Sequence, residues 1–484
     1  VLRAFFFAPK RFAVGYDEGS TPKRGFTPMT TISTNTDTTS AGTIGEDHVA
    51  SLRADFDGNP KWKLAQNAVS QTAVDDVAMD RSIVAGLDYT FSTLLDDWKV
   101  TNQRQSGRCW MFAALNLMRV GAMKKMNLKE FEFSQNYTLF WDKFERANYF
   151  YEAIIETSDR PIDDRAVCFL LDRPLDDGGQ WNMFMNIVQK HGLVPKSAMP
   201  ETQSSSCTRR MNVIMCGMLR QGARQLRAAK ERGESIETVR SIKDTLVEHV
   251  WRVLCIHLGT PPTDFDWQWN DKDKEFHRAG RMTPQQFAET YVDLPLDDFV
   301  CIVHDARETS PTGRTYTVEH LGNVVGGEPV LYLNVEIDVM KSITQKVLER
   351  GEPVWFGCDV GKMFRRDMGL WDADLYDFGN LYDVPFDLDK GGRLDFHETL
   401  MTHAMLFTGV DVVDGTPRRW RVENSWGSEK VGRKGFQVMN DSWFNEHMFE
   451  IAARRSDLPE ELQAALDTEP IVLPAWDPMG SLAG

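Results

Sequence analysis

The sequence predicts an α+β protein, helical over its first three hundred residues and β-rich after them. From residue 109 the apolar positions Trp110, Ala113, Ala114, Leu117, Met118 and Gly121 recur at helical spacing. The same stepping by three and four returns at Ile236, Val239, Ile242, Leu246, Val250, Val253 and Leu254. Beyond about residue 297 the period shortens. Segments 300–303, 330–335, 354–358, 405–413, 420–422 and 435–439 are rich in β-formers and are separated by Gly, Pro, Asp and Asn. One helix, 338–350, interrupts them. Helices and strands segregated in this way imply an antiparallel sheet or barrel beside a helical half.

The chain has 484 residues, 42% of them hydrophobic, more than one core normally absorbs, so one catalytic unit with substantial insertions is expected. No window approaches the roughly 18 consecutive apolar residues of a membrane span. A net charge of −16 argues against general affinity for nucleic acid or anionic membrane, which demand an excess of Lys and Arg. The 7 cysteines, at 109, 168, 207, 216, 255, 301 and 358, are odd in number and widely spread. With no evident secretory signal they fit reduced thiols in a cytoplasmic protein. No CxxC, HExxH or other His/Cys cluster has zinc spacing, so neither metal nor cofactor is expected.

In chain order, residues 1–28 are basic and precede a Thr/Ser-rich stretch that opens at Met29 and reads as flexible. One reading makes Met29 the natural start and residues 1–28 non-native; a disordered tail is the plainer one. Residues 48–99 read as an N-terminal arm on the main body. Gly107 ends the loop before the helix that starts at Cys109. Residues 128–156 continue as amphipathic helix, and Asp176-Asp177-Gly178-Gly179-Gln180 is a tight turn before a helix, Trp181–His191, that Gly192 stops. Between 203 and 296 lies a helical insertion, with Ser235 as an N-cap. Its run 207–232 holds seven Arg/Lys against one Glu; such a run is usually a solvated face, less often a pore lining, a partner contact or a nucleic-acid surface.

The chemistry centres on residues 103–112, QRQSGRCWMF. The unpaired amides and dipole of a helix N-terminus favour a thiolate at Cys109. A cysteine beside Trp110 is equally well a buried small hydrophobe. A nucleophile needs a base, and the base an orienting acceptor. His403 opens the apolar strand MTHAMLFTGV, and Asn424 follows at the end of the next strand in WRVENSWG, so a hairpin of that length brings the two together. Asn424 can orient the imidazole through its carbonyl, with Trp426 shielding the bond from water. Gln103, six residues before Cys109, can donate its side-chain amide beside the Cys109 backbone N–H to a developing oxyanion.

This set of Gln103, Cys109-Trp110, His403 and Asn424 resembles the papain-like cysteine peptidases. TNQRQSGRCW, FEFSQNY, DGGQW, GEPVWFGCDVGK, MTHAM, WRVENSWG and the terminal LPAWDPMG resemble more closely the bleomycin hydrolase/aminopeptidase C family, from about residue 50 onward. The resemblance implies a cytoplasmic cysteine aminopeptidase that acts on peptides with a free N-terminus, with bleomycin-like amides as further substrates, and assembles as a homohexamer. It also implies a papain-like core with a large helical insertion, agreeing with the 294 positions between Cys109 and His403. The chain then divides into a flexible extension (1–47), an arm and helical half carrying the nucleophile (48–202), the insertion (203–296), a β-rich half with His403 and Asn424 (297–455) and a C-terminal arm (456–484). In the family that arm lies in the cleft, and its terminal carboxylate receives the substrate amine. Gly178, Gly179, Ala483 and Gly484 are thereby implied in substrate binding. Here the tail appears one residue longer than the common family ending, so Gly484 is either removed or occupies the first non-primed pocket. The rivals are another Cys-His acyl transferase or amidase, which Asn424 and the Gln103 spacing disfavour, and a nucleic-acid-binding scaffold, whose only support is the basic run.

Overall fold

The computed structural model describes residues 42–95, 98–429 and 431–484. The basic N-terminal run and the question of Met29 lie outside those residues. The chain divides after Asn67 into two compact units. In the first, the described residues form helix α1 (Glu46–Gly58) and most of α2 (Pro60–Val69). The second, Ala68–Gly484, contains every candidate site residue.

Helix α3 (Cys109–Met126) buries 14 of its 18 residues, so it runs through the core rather than along a surface. Lys124 and Lys125 complement the dipole in its last turn, and Asn127 ends it in the left-handed conformation at φ 55°. The helix expected over 128–156 therefore starts later. Ser134 caps α4 (Gln135–Glu156), its hydroxyl accepting from the Tyr137 N–H. Phe131 and Phe133 lie in the break but pack on Phe287, so an apolar pattern reads straight through it. Helix α5 (Trp181–His191) ends at Gly192, whose φ of 67° suits glycine.

The segment 203–296 contains α6 (Arg209–Glu231) and α7 (Ile236–Leu258), the latter capped by Ser235 as expected. It is not wholly helical. An antiparallel hairpin of β1 (Phe265–Asn270) and β2 (Phe276–Met282) follows, in which Phe265, Trp267 and Trp269 alternate and pack on Phe287 and Tyr291. The basic run has a local use: Arg227 donates to the carbonyls of Thr157 and Arg160 beyond α4, and Arg220 to those of Leu171 and Asp172. Both arginines satisfy carbonyls left over at the ends of neighbouring helices.

The remaining strands are β3 (Phe299–Val303), β4 (Arg314–Val318), β5 (Tyr332–Asn334), β6 (Val354–Cys358), β7 (His403–Val413), β8 (Thr416–Glu423), β9 (Phe436–Asn440), β10 (Met448–Arg454) and β11 (Ile471–Leu473). They order as β11-β4-β5-β3-β10-β6-β7-β8-β9, extended by Leu370–Trp371 and Phe364–Arg365, with Thr93–Leu94 added to β7. The centre, β3 to β9, is antiparallel as expected; β3 with β5, β4 with β11, and β9 with Leu370–Trp371 are parallel. Helix α8 (Ile337–Glu349) matches the one helix expected among the strands. Short helices at Phe378–Tyr382, Lys390–Asp395 and Asp441–His447 join it.

Strand β7 explains its own composition. Ala404 and Leu406 face the core shared with α3, while Met405, Phe407 and Val410 face the core shared with α8. A strand buried on both faces is apolar throughout. Its antiparallel pairing aligns Leu406 with Glu423 of β8, so Asn424 leaves β8 at the end where His403 enters β7.

Candidate active site

Cys109 is the first residue of α3, and it is fully buried. Its Sγ accepts from the N–H of Ala404 at 3.4 Å, which sets the thiol beside the residue following His403. The Nε2 of His403 lies 3.0 Å from the Oδ1 of Asn424. Because that oxygen only accepts, Nε2 carries the hydrogen, and Nδ1 is the basic nitrogen of the neutral ring. Asn424 is itself held, accepting also from the Ser425 N–H at 2.7 Å and donating to Gln437. The ring centroid of Trp426 lies 5.0 Å from that of His403.

Gln103 is buried and gripped at both ends of its amide. Its Oε1 accepts from the Ser425 hydroxyl, and Nε2 donates to the Ser106 carbonyl at 2.6 Å, leaving its second N–H for another acceptor. Its backbone N–H pairs with the Ser425 carbonyl, so the strand carrying Asn424 also anchors Gln103.

The electrostatics differ from the thiolate expected from helix position alone. Burial pushes the Cys109 thiol up to about 12, although the backbone amides of Ala404, Trp110 and Cys109 pull it down. Burial likewise pushes His403 down to about 4, against the Asn424 hydrogen bond. Desolvation opposes each charge separately, so burial here disfavours an isolated thiolate and an isolated imidazolium. Proton transfer from one to the other creates compensating charges, and entry of water lowers the cost of both.

The occluding element is the chain's own C-terminus. Gly179 and Ala483 form an antiparallel bridge, with N–H to carbonyl distances of 3.1 and 3.3 Å. The Gly484 N–H donates to the carbonyl of Thr402, the residue before His403, at 3.1 Å. Glycine is required on the receiving side. A Cβ on Gly178 would come within 2.8 Å of Leu482, one on Gly179 within 2.5 Å of the Trp110 ring, and one on Gly107 within 2.7 Å of Asp177 and 3.1 Å of Gly484. Further back, Gln180 donates to the Ser481 carbonyl, Ser481 to Met401, and Tyr332 to Met479. Arg307 grips the Asp477 carboxylate with two nitrogens, at 3.0 and 2.9 Å.

All ten residues singled out from the sequence thus converge on one cleft: Gln103, Cys109, Trp110, Gly178, Gly179, His403, Asn424, Trp426, Ala483 and Gly484. Sequence reasoning missed Thr402 and Asp177. Asp177 accepts from the Gly107 N–H, Thr208 and Asn212, pairs with Lys143 at 2.7 Å, and gives its carbonyl to Trp110 Nε1. Burial raises its carboxyl, but Lys143, Thr208 and Asn212 outweigh that and hold it well below the usual carboxylate range. It ties α6 of the insertion to the cysteine loop and walls an open pocket of about 520 Å³ beside Gly107, Gln105 and Asn212. Its signal was present in DGGQW but is indistinguishable from turn chemistry. The only group of described residues with clustered potential metal ligands, Asp271, Glu275 and His277, lies at the β1–β2 turn. There the Asp271 carboxylate already accepts from Asn127, His277 and the backbone N–H groups of Asp273 and Glu275.

The family model of the Peptidase C1-like family matches residues 43–480. Bleomycin hydrolase of Homo sapiens is 43% identical over 454 residues, 92% of this chain and 100% of that protein. Aminopeptidase C of Lactobacillus delbrueckii subsp. lactis is 41% identical over 443 residues, 91% of this chain and 98% of its own. The crystal structure of PepW from Lactobacillus rhamnosis HN001 superposes with a TM-score of 0.90 at 44% identity, covering 91% of this chain and 100% of that one.

Burial of the thiol predicts slow alkylation of Cys109 by iodoacetamide at neutral pH, rising as pH climbs toward the thiol's elevated range. Deleting residues 481–484 admits water and raises the rate at pH 7 by about tenfold for each pH unit by which the thiol pKa falls. An unchanged pH–rate curve in the deletion variant contradicts this reading of the arm.

Proposed function

The chain belongs to the Peptidase C1-like family, and on that footing we propose how it works as a cysteine aminopeptidase releasing N-terminal residues from peptides. The observation that carries the reading is the C-terminal arm, whose last residues hydrogen-bond to Gly179 and Thr402 beside Cys109 and His403. An extended backbone on those two partners lies as a peptide's own would, with its final residue on the carbonyl that precedes His403.

In the proposed reaction the Cys109 sulfur attacks the first peptide carbonyl while its proton passes to Nδ1 of His403. Asn424 holds the imidazolium in place. The second N–H of Gln103 and the backbone N–H of Cys109 receive the oxyanion; loss of one such donor typically costs about a hundredfold or more in rate. His403 protonates the leaving amine as the tetrahedral adduct collapses to a thioester. Water then attacks the thioester with His403 as base, releasing the amino acid and restoring the thiol. Amides of the bleomycin type fit the same chemistry.

The arm supplies the exopeptidase character. It fills the non-primed side, so only a chain end can enter, and its carboxylate offers a negative charge to an N-terminal ammonium. With Gly484 in place, the last residue fills the space against Gly107, Gly178 and Thr402 that the proposed reaction needs for a substrate's first residue. Removal of Gly484, leaving Ala483 as the new terminus, frees that position. The further assignments are a homohexamer in the cytoplasm. Light scattering tests the first, with about six times the 55.2 kDa chain mass expected and a monomer refuting it.

Cys109→Ala is expected to abolish hydrolysis of aminoacyl-arylamides while its circular dichroism matches wild type. Intact-mass measurement of the two proteins reads the fate of Gly484: self-trimming leaves wild type one glycine shorter than Cys109→Ala, and equal masses rule it out. Deleting residues 481–484 opens the non-primed side, so cleavage of N-terminally blocked peptides should appear. If blocked peptides stay intact, the arm does not set the specificity.

A further inference from the structure

A buried carboxylate that takes no part in the chemistry sits one residue before Asn424. Glu423 ends β8 with its side chain in the interior. Its Oε1 accepts from Arg119 Nη2 at 2.7 Å and from Asn116 Nδ2 at 3.0 Å, and its Oε2 accepts from the indole of Trp98. All three partners are donors, so the carboxylate satisfies them without a proton of its own. Burial pushes the Glu423 pKa up, and the Arg119 charge and the Trp98 hydrogen bond pull against it.

The partners belong to different parts of the cleft. Asn116 and Arg119 lie on α3, two turns and more beyond Cys109. From there Asn116 also donates to the Thr101 hydroxyl at 2.8 Å, and Arg119 to the Lys99 carbonyl at 3.1 Å. Trp98, Lys99 and Thr101 lead directly into Gln103. That segment pairs with the strand beyond Asn424, the Gly427 N–H donating to the Thr101 carbonyl at 2.9 Å and the Gln103 N–H to the Ser425 carbonyl at 2.8 Å. One carboxylate therefore joins the helix bearing Cys109, the segment bearing Gln103 and the strand end bearing Asn424.

We propose that Glu423 is a positioning residue for the peptidase reaction, holding the carriers of Cys109, Gln103 and Asn424 in a single register through directional hydrogen bonds. The inference rests on the aminopeptidase reading above. Bulk stability does not call for such a group, because well-packed apolar residues commonly replace a buried ion pair without loss. What apolar contacts lack is direction: a helix packed only by them can slide or rotate by a fraction of an ångström. A displacement of about 1 Å at reacting groups is enough to cost about a hundredfold in rate. Glu423 makes no bond to His403 or to the arm, so its effect falls on kcat rather than on substrate binding.

The test uses the full-length protein and three variants. Glu423→Gln puts an amide N–H₂ against a set of donors. Arg119→Met with Glu423→Leu replaces the ion pair by apolar packing. Asn116→Ala keeps the ion pair and cuts the ties of Asn116 to Glu423 and to Thr101. For each, near-UV circular dichroism reports folding, an aminoacyl-arylamide reports kcat and KM, and iodoacetamide reports the reactivity of Cys109 across pH. The expected result is kcat lowered about thirtyfold to three-hundredfold in the first two and about tenfold in Asn116→Ala, with KM within about threefold of wild type. Native-like spectra should accompany these losses in the apolar double variant. If that double variant is folded and its kcat lies within about twofold of wild type, the proposal is overturned. Should the first two variants fail to fold, Asn116→Ala decides, and a kcat within about twofold of wild type overturns it. Wild-type inactivity on every arylamide would instead refute the aminopeptidase reading; alkylation rates unchanged in all folded variants then overturn the positioning role independently.

Discussion

A thiol placed at the end of a helix that is itself buried is the constraint from which the rest of the cleft follows. Helix α3 packs on the face of β7 formed by Ala404 and Leu406, and the amide of Ala404 reaches Sγ directly. The helix thus cannot move without carrying the nucleophile away from the strand that bears His403. Its burial also raises the cost of any charge on Cys109, which the amides at the helix start offset only in part. A cleft built this way needs its remaining polar groups to be held in place. Gln103, Asn424 and Ser425 meet that need by bonding to one another across two segments of chain.

The arm extends the same logic to the open side of the cleft. Its backbone satisfies N–H and carbonyl groups of Gly179 and Thr402 that would otherwise face solvent, and its path is pinned by Arg307 at Asp477. The Arg307–Asp477 pair is bidentate and mostly shielded, so it orients the arm rather than merely attracting it. Glycines at 107 and 178 are what let the terminal residues come so close, and glycine at 179 leaves room for the Trp110 ring. Under the function proposed above, specificity for chain ends is a matter of occupied space, produced by one segment filling what would otherwise be half of a substrate groove.

Much of the fold was legible because its signals are local. Ser235 caps a helix as its sequence implies, Gly192 stops one, and the β-forming runs after residue 297 became strands within a few residues of their expected limits. The misreadings are equally physical. Apolar residues 131 and 133 bridge two helices without belonging to either, because they are anchors for the hairpin and the helix Pro284–Tyr291. The hairpin itself alternates in aromatic residues, yet it sits inside a stretch whose dominant period is helical. Strands β4, β10 and β11 escaped notice: polar residues alternate through β4, Glu450 and two alanines interrupt the apolar residues of β10, and β11 is only three residues long.

The sequence by itself determined the identity and spacing of the groups proposed to react: an amide six residues before a helix-starting cysteine, and a histidine and asparagine at facing ends of a hairpin. Those relations are set within a few turns or one strand pair, where period and capping chemistry decide conformation. Only the tertiary structure decided that burial weighs against charge on Cys109 and on His403, that Gly484 lies on Thr402, and that Glu423 joins the segments bearing Cys109, Gln103 and Asn424. Each of these depends on desolvation or on contacts between residues tens to hundreds of positions apart. Neither quantity is written in a local pattern, because burial is a property of everything packed around a group.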